Sequence, residues 1–303
     1  MLYKDFITII YIMGNIISYI TGYEEINFKK YGWRVDTPDH RDLYYSVPSN
    51  TSLPNKVDLR YCCPGIYNQG KLGSCTANAI AAAYEYDEIK QDEDNLFIPS
   101  RLFIYYNERL MEHTTKYDNG AQIRDGIKSI NRVGVCPETM WPYDISHFTE
   151  KPDDKCYIEA ENHKSVSYHR VNQDLNSLQK VLNSGFPIVF GFAVYESFET
   201  EEVVETGKMV MPSKKEKCLG GHAVMVVGYN NETQVFIVRN SWGIQWGDNG
   251  YFYMPYEFIT NKNLCSDFWV IQKIRDMEQR EISSIFDDKE QCEISSIFDD
   301  LSA

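Results

Sequence analysis

The sequence contains no C-x-x-C or H-E-x-x-H spacing, so nothing in it suggests a structural or catalytic metal, and no cofactor is expected. It has no stripe of Lys or Arg either. With a net charge of −14 and an isoelectric point near 4.9, it lacks the concentrated positive surface that displaces counterions from phosphates, which argues against DNA or RNA as a partner. No apolar run reaches the roughly 20 residues that a bilayer-spanning helix needs. The longest, Phe6 to Ile20, is interrupted by Thr8, Gly14, Asn15 and Ser18. A stretch of that length fits the core of a signal peptide better. Lys4 is followed at once by Asp5, and Gly22 is the small residue nearest a cut. Residues 1–22 are therefore expected to be a signal peptide or a signal anchor, with a buried propeptide segment as the alternative. A membrane is a partner only if that segment stays uncleaved. Two glycosylation sequons, at Asn50 and Asn231, lean towards a secretory route.

What is present is core material. Of 303 residues 43% are hydrophobic and 14% aromatic, enough for one large domain or two small ones. The charge is unevenly placed: residues 276–303 hold nine carboxylates against Arg280 and Lys289, half of the net negative charge. There EQREISSIFDD (278–288) returns as EQCEISSIFDD (290–300). A like-charged segment with few apolar residues cannot offset its ordering entropy, so this tail reads as a solvated appendage. The sharper alternative is a docking tag built on Ile285/Phe286 and Ile297/Phe298. Residues 23–55, punctuated by Pro38, Pro48 and Pro54, read as an extended linker or short prosegment ahead of a domain at 56–275. Within it, periodicity predicts helices from about Cys75, over 100–112, over 121–132 and over 172–183, the last stopped by Gly185. Strand-like runs follow at 186–195, 222–230, 234–242 and 251–256. Helices first and antiparallel strands later give an α+β fold.

The chemistry starts at Cys75. A Gly-containing turn delivers it to the first position of a helix, where a thiolate faces unpaired N–H groups, so its pKa is expected to fall. A lone cysteine is more often a small buried hydrophobe, and a lone histidine at a strand start is more often structural. A thiol nucleophile, however, needs a nearby base, and the base needs an orienting group. His222 opens a strand after Gly220-Gly221, and Asn240 ends the next strand, with Trp242 beside it to exclude water.

Asn68-Gln69-Gly70, Gly73-Ser74-Cys75, Gly221-His222-Ala223-Val224, Val227-Gly228-Tyr229, Asn240-Ser241-Trp242-Gly243 with Trp246-Gly247, and Gly250-Tyr251 occur in this order. Together, over roughly 55–273, they resemble the papain/cathepsin family of cysteine proteases. The chain looks most like the short-leader branch of bacteria, protists and large DNA viruses, with VDLR before NQGKLGSCTANA and a leader GWRVDTPDHRD. The resemblance implies a papain-like two-lobe fold, a helical lobe with the nucleophile helix and an antiparallel β lobe. It implies Cys75 as nucleophile, His222 as acid/base, Asn240 as orienting residue and Gln69 as oxyanion donor. Trp242 would shield the Asn240 to His222 bond, and Gly73, Ser74, Gly220, Gly221, Ala223 and Trp246 would line or shield the site. Gly220 and Ala223 leave room for a bulky apolar substrate side chain.

The implied activity is hydrolysis of polypeptides through an acyl-enzyme by a zymogen, with its own prosegment as intramolecular inhibitor. Asp36, Asp39, Arg41 and Asp42 would hold that leader by charge pairs that weaken as carboxylates protonate, so that acid releases it. A secretory, lysosome-like or extracellular setting follows, or a virion. His113 stands without the paired histidine of cathepsin B, which favours an endopeptidase. A catalytically silent peptide-binding homologue and a Cys/His acyl transferase are the rivals. Retention of Gln69, Cys75, His222, Asn240 and Trp242 together speaks against the first, and the NSWGxxWG block against the second.

The chain also departs from the family. Leu72 stands where the family has a cysteine, and Asp118-Asn119-Gly120-Ala121 where Gly-Cys-x-Gly-Gly is expected, so one usual disulfide is missing; Thr76 replaces an aromatic. Of eight cysteines, Cys75 as nucleophile leaves an odd number, with Cys292 the candidate to stay unpaired. Related enzymes join cysteines placed like Cys218 and Cys265, so that bridge is expected. Cys62 and Cys63 have Cys136 and Cys156 as possible partners.

Overall fold

The computed structural model describes residues 31–46, 52–91, 96–164 and 166–273. The apolar segment 1–22, the acidic repeat and Cys292 lie outside them. In chain order the described residues form β1 (Trp33–Arg34), β2 (Lys56–Asp58), α1 (Cys75–Lys90), α2 (Arg101–Met111), β3 (Ala121–Gln122), α3 (Ile123–Val133), α4 (Asp154–Ala160), β4 (Val166–Arg170), α5 (Leu175–Asn183), β5 (Ile188–Tyr195), α6 (Glu201–Thr206), β6 (Cys218–Asn230), β7 (Val235–Arg239), β8 (Tyr251–Pro255), α7 (Tyr256–Thr260) and β9 (Cys265–Lys273).

Helix α1 is rich in alanine, with neither Gly nor Pro, and every residue from Cys75 to Tyr84 is buried. Small side chains let it be packed from all sides, with α2 and α3 on one flank and β5, β6 and β9 on the other. Ile123, Ile127 and Ile130 repeat at helical spacing and form the buried face of α3, which stops at Gly134 with φ +85°. The Ser100 hydroxyl caps α2 by accepting the Phe103 N–H at 3.1 Å, and the Asp174 carboxylate caps α5 through Ser177 N–H at 2.9 Å.

Seven antiparallel strands form the second layer in the order β4-β9-β5-β6-β7-β8, with β2 pairing the far end of β6. Phe190, Phe192, Phe252 and Trp269 fill its core. The fold is the α+β, papain-like arrangement expected. Two local differences bear on the site. The segment 121–132 does not begin as helix: Ala121–Gln122 is a strand, because the leader strand β1 pairs with it. Strands β4 and β9 were not anticipated, and β9 is an interior strand, between the edge strand β4 and β5.

The expected Cys218–Cys265 bridge is not formed. Cys218 lies opposite Tyr195 and Cys265 opposite Phe192, on the two sides of β5. That places them two strand spacings apart, about 9.5 Å, and offset along the strand as well, whereas a disulfide needs Cα atoms within about 7 Å. The Cys265 thiol donates instead to the Phe258 carbonyl at 3.6 Å. All seven described cysteines are free thiols, and Cys136 and Cys156 hydrogen-bond to each other rather than meeting Cys62 or Cys63.

Candidate active site

The turn before α1 is built by its own polar atoms. Asn68 Oδ1 accepts the Gly70 N–H at 3.0 Å, and Gly70 takes φ +60°. The Gln69 N–H reaches across to the Ser241 carbonyl at 2.9 Å, so this turn is tied to the segment after β7. The buried Gln69 carboxamide repeats the tie, donating to the Leu72 carbonyl at 3.0 Å and accepting from Ser241 Oγ at 2.6 Å. Ser74 turns inward, where its carbonyl and hydroxyl accept from Asn78 Nδ2 and its hydroxyl meets Tyr143. It therefore supports the turn rather than lining the cleft.

On the facing layer, His222 sits on β6 and is fully buried. Its Nε2 lies 2.8 Å from Asn240 Oδ1, which also accepts the Ser241 N–H at 2.8 Å. An acceptor at Nε2 places the proton of a neutral ring there and makes Nδ1 the basic nitrogen. The Trp242 indole stacks on the imidazole at 4.7 Å and 26°, and Trp246 meets Trp242 edge-on at 5.1 Å. Trp246 thus backs Trp242 from within the core.

Cys75 is fully buried, with its sulfur near the backbone N–H groups of Ala223, Gly32 and Thr76. The Ala223 contact puts the strand residue after His222 directly over the thiol. Burial pushes the Cys75 thiol up to about 12, the three N–H groups oppose that rise, and the Glu108 carboxylate adds to it. The fall expected from the helix N-terminus is therefore overturned in this state, because water is excluded from the sulfur.

The leader is what excludes it. The Gly32 carbonyl accepts the Ala121 N–H at 2.8 Å, and β1 runs parallel to β3 with Trp33 opposite Ala121. A Cβ on Gly32 would lie 1.7 Å from the Gly73 oxygen, and one on Gly120 only 1.9 Å from the Gly32 oxygen, so three glycines let backbone press on backbone. Tyr31 packs 6.3 Å from the rings of both His222 and Trp242 and bonds Glu199. A Cβ on Gly220 would meet Tyr31 at 2.7 Å and one on Gly221 would meet the Trp33 carbonyl at 2.5 Å. Gly73, Gly220 and Gly221 are hence cleft walls, each touched by the leader.

Beyond Trp33 the leader is held by charge. The buried Asp36 carboxylate accepts from Trp269 Nε1 at 2.8 Å and from the Arg124 N–H at 3.1 Å, and pairs with Arg170 at 3.2 Å. Arg170 also pairs with Asp42 at 2.7 Å and Asp267 at 3.4 Å, while Arg124 and Lys128 reach Asp39 at 3.5 and 3.7 Å. Arg41 does not contribute to this docking: its guanidinium bonds Asp39 of the leader itself. Burial and the neighbouring Asp267 raise the Asp36 pKa from 3.8 to about 6. A carboxyl whose pKa is higher when docked takes up a proton on docking, so acid tightens this contact, the reverse of the loosening expected for Asp36.

Several supporting residues gave no warning in the sequence. Asp118 accepts the Gly73 N–H with both oxygens, at 3.1 and 3.2 Å, and bonds Tyr105. It links the two loops whose disulfide is missing. Thr76 donates to the buried Glu108 at 2.7 Å, and burial pushes that carboxyl up to about 8. The vacancies at 72 and 118–121 and the replacement at Thr76 were visible in the sequence, but not the bonds that Asp118 and Glu108 make there. Among the described residues no group of three or more His, Cys, Asp and Glu side chains could hold a metal ion.

Comparison with known proteins agrees with this geometry. The profile of papain family cysteine proteases matches residues 53–267. An uncharacterised peptidase C1-like protein of Acanthamoeba polyphaga mimivirus is 52% identical over 274 residues, 82% of this chain and 88% of its own. Cathepsin S of Rattus norvegicus is 27% identical over 247 residues, 77% of this chain and 68% of its own. Among solved structures, xylellain, a cysteine protease from Xylella fastidiosa, superposes with a TM-score of 0.77 at 45% identity, covering 82% of this chain and 97% of that one. A profile match over most of the chain and a relative more than half identical leave one conclusion: this chain belongs to the papain family of cysteine proteases and is a cysteine endopeptidase.

Proposed function

We propose that the enzyme hydrolyses peptide bonds through a Cys75 thiolate and a His222 imidazolium and is made as a zymogen, with residues 31–46 as its own inhibitor. The observation that supports the zymogen reading is Gly32, wedged between Gly73 and Gly120 with its N–H towards the Cys75 sulfur. Nothing larger than a backbone can pass there while the leader is seated. With the leader gone, water reaches the thiol, its burial penalty falls, and the helix N-terminus and Ala223 N–H remain to favour the thiolate.

The thiolate attacks the substrate carbonyl carbon, and the oxygen gathers negative charge. The Gln69 amide has two hydrogens, one given to Leu72; the other, with the Cys75 backbone N–H, would bind that oxygen, each donor worth roughly 3 kcal/mol in the transition state. His222 protonates the leaving amine, the amine departs, and a water deprotonated by His222 then hydrolyses the thioester. Asn240 keeps the ring oriented throughout, and Trp242 keeps water off the Asn240 to His222 bond.

The test is covalent labelling of the full-length chain with an irreversible epoxide inhibitor of papain-like enzymes, mapped by peptide mass spectrometry. Gly32→Ala, in which the leader cannot seat, is expected to label rapidly and at Cys75 alone, the natural chain slowly, and Gly32→Ala/Cys75→Ala not at all. Folded Gly32→Ala protein that takes no label at Cys75 would point to the silent peptide-binding homologue instead.

A further inference from the structure

The peptide between Leu72 and Gly73 is held at both of its polar atoms. Its carbonyl accepts from Gln69 Nε2 at 3.0 Å, which fixes the carboxamide that would bind the substrate oxygen. Its N–H donates to both oxygens of Asp118, at 3.1 and 3.2 Å. A peptide unit is planar, so its carbonyl cannot turn without its N–H. The Asp118 carboxylate and the Gln69 carboxamide are thus joined through one rigid plane. There is no slack in it: a Cβ on Gly73 would lie 2.9 Å from Asp118 Oδ1, so the carboxylate fills the space a side chain would take.

Asp118 is itself anchored. The Tyr105 hydroxyl donates to it, and the oxygen of that hydroxyl accepts the Gly120 N–H at 3.3 Å. Burial and the Asp118 charge raise the Tyr105 pKa, so the phenol stays a donor. The buried Arg109 guanidinium lies 4.0 Å from the centre of the Tyr105 ring and donates to the Thr115 and Tyr117 carbonyls at 2.9 and 3.2 Å, which fixes the chain as it approaches Asp118. Gly73 and Gly120 are the two glycines against which the leader backbone is pressed, so this network spans the cleft. When Gly-Cys-x-Gly-Gly is aligned on Gly120, Asp118 takes the place of the cysteine, and Leu72 has the place of its partner. A disulfide would hold the side chain at 72; the carboxylate holds the next peptide instead.

Resting on the reading of the chain as a peptidase, we propose that Asp118 is a positioning residue for the oxyanion donor: it fixes the Leu72–Gly73 peptide, that peptide fixes the Gln69 carboxamide, and the second Gln69 hydrogen is thereby aimed at the oxygen on which charge gathers. Ser241 Oγ holds the other end of the carboxamide at 2.6 Å, so loss of Asp118 removes one of two anchors and weakens the donor without abolishing it. Reactions of the thiolate in which no oxyanion forms are spared.

The test uses the full-length Gly32→Ala chain, in which the leader cannot seat, as parent. Two rates are measured for each variant: hydrolysis of a fluorogenic peptide, which passes through an oxyanion, and alkylation of Cys75 by iodoacetamide, in which a C–S bond forms, iodide leaves and no oxyanion arises. Asp118→Asn, which keeps the shape and one acceptor oxygen, is expected to lower kcat by about fivefold, and Asp118→Ala by about thirtyfold, with KM within about threefold of the parent and alkylation within about twofold. Gln69→Ala is expected to lower kcat by about two hundredfold. Adding Asp118→Ala to it is expected to cost less than about twofold more, because the group that Asp118 positions is gone. Additive losses in the double variant, or alkylation that slows in step with hydrolysis, would overturn the proposal, since Asp118 would then act on the fold or on the nucleophile. Should Asp118→Ala not fold, the milder Asp118→Asn decides the matter through the same comparison with and without Gln69→Ala. A parent that is neither alkylated at Cys75 nor able to hydrolyse peptide would overturn the peptidase reading instead.

Discussion

The leader is held in two different ways along its length. Residues 31–34 are seated by shape: glycine backbone against glycine backbone, an indole between two strand glycines, a phenol against the His222 and Trp242 rings. Residues 36–42 are seated by charge: three leader carboxylates facing Arg170, Arg124 and Lys128. The first half covers the thiol and has no titrating group touching the sulfur. The second half lies away from the sulfur and responds to protons. Blocking and tethering are therefore separable, and each should fail by its own route.

The largest effect is expected from breaking the shape half. Gly32→Ala puts a methyl 1.7 Å from the Gly73 carbonyl, and backbone on both sides cannot yield. Overpacking of this kind costs about 3 kcal/mol or more. Peptidase activity of the full-length chain at pH 7 is expected to rise by about a hundredfold, read as initial rates on a fluorogenic peptide. A smaller effect follows from breaking the charge half. Arg170→Ala leaves Asp36, Asp42 and Asp267 facing one another, and we expect docking to weaken by about 2 kcal/mol, roughly thirtyfold. Competition by a synthetic peptide of residues 28–46 for the cleft of the full-length variant would measure it, and a change under threefold would show that charge contributes little.

The two halves are next separated by pH. Asp36 has a pKa of 3.8 when free and about 6 when docked. Docking is then favoured fully below 3.8, and that gain is lost as pH rises through about 6. Between pH 7 and pH 5 the leader is expected to bind about tenfold more tightly, less whatever Arg170 and Asp267 give back. Asp36→Asn should flatten the dependence, whereas an unaltered slope in that variant would place the titration elsewhere. The smallest effect is expected at Arg41. Since it pairs within the leader, Arg41→Ala should change inhibition by less than about twofold in the same assay.

Legibility in the sequence followed the range of the interactions. Helix α1 was readable to its first residue because glycine, cap position and helix formers are adjacent in the chain. The order Gln69, Cys75, His222, Asn240, Trp242 was readable because each motif is local, and the Asn240 to His222 bond follows from two paired strands. The Cys218–Cys265 bridge misled, since whether two cysteines meet depends on which strand comes between them, and β9 on the other side of β5 was not foreseen. The direction of the Cys75 and Asp36 shifts misled for a related reason. A helix N-terminus and a row of acids are local features, whereas burial is set by segments far away in sequence.

By itself, then, the sequence determined the fold class, the family and the residues proposed as nucleophile and partners, because short-range patterning and side-chain chemistry suffice for those. Only the tertiary structure decided that Gly32 stops the cleft, that Asp118 links the loops a disulfide would join, and that Asp267 bonds Trp33. Those contacts join residues 41 to 234 positions apart; the chain encodes them only through the packing of the whole.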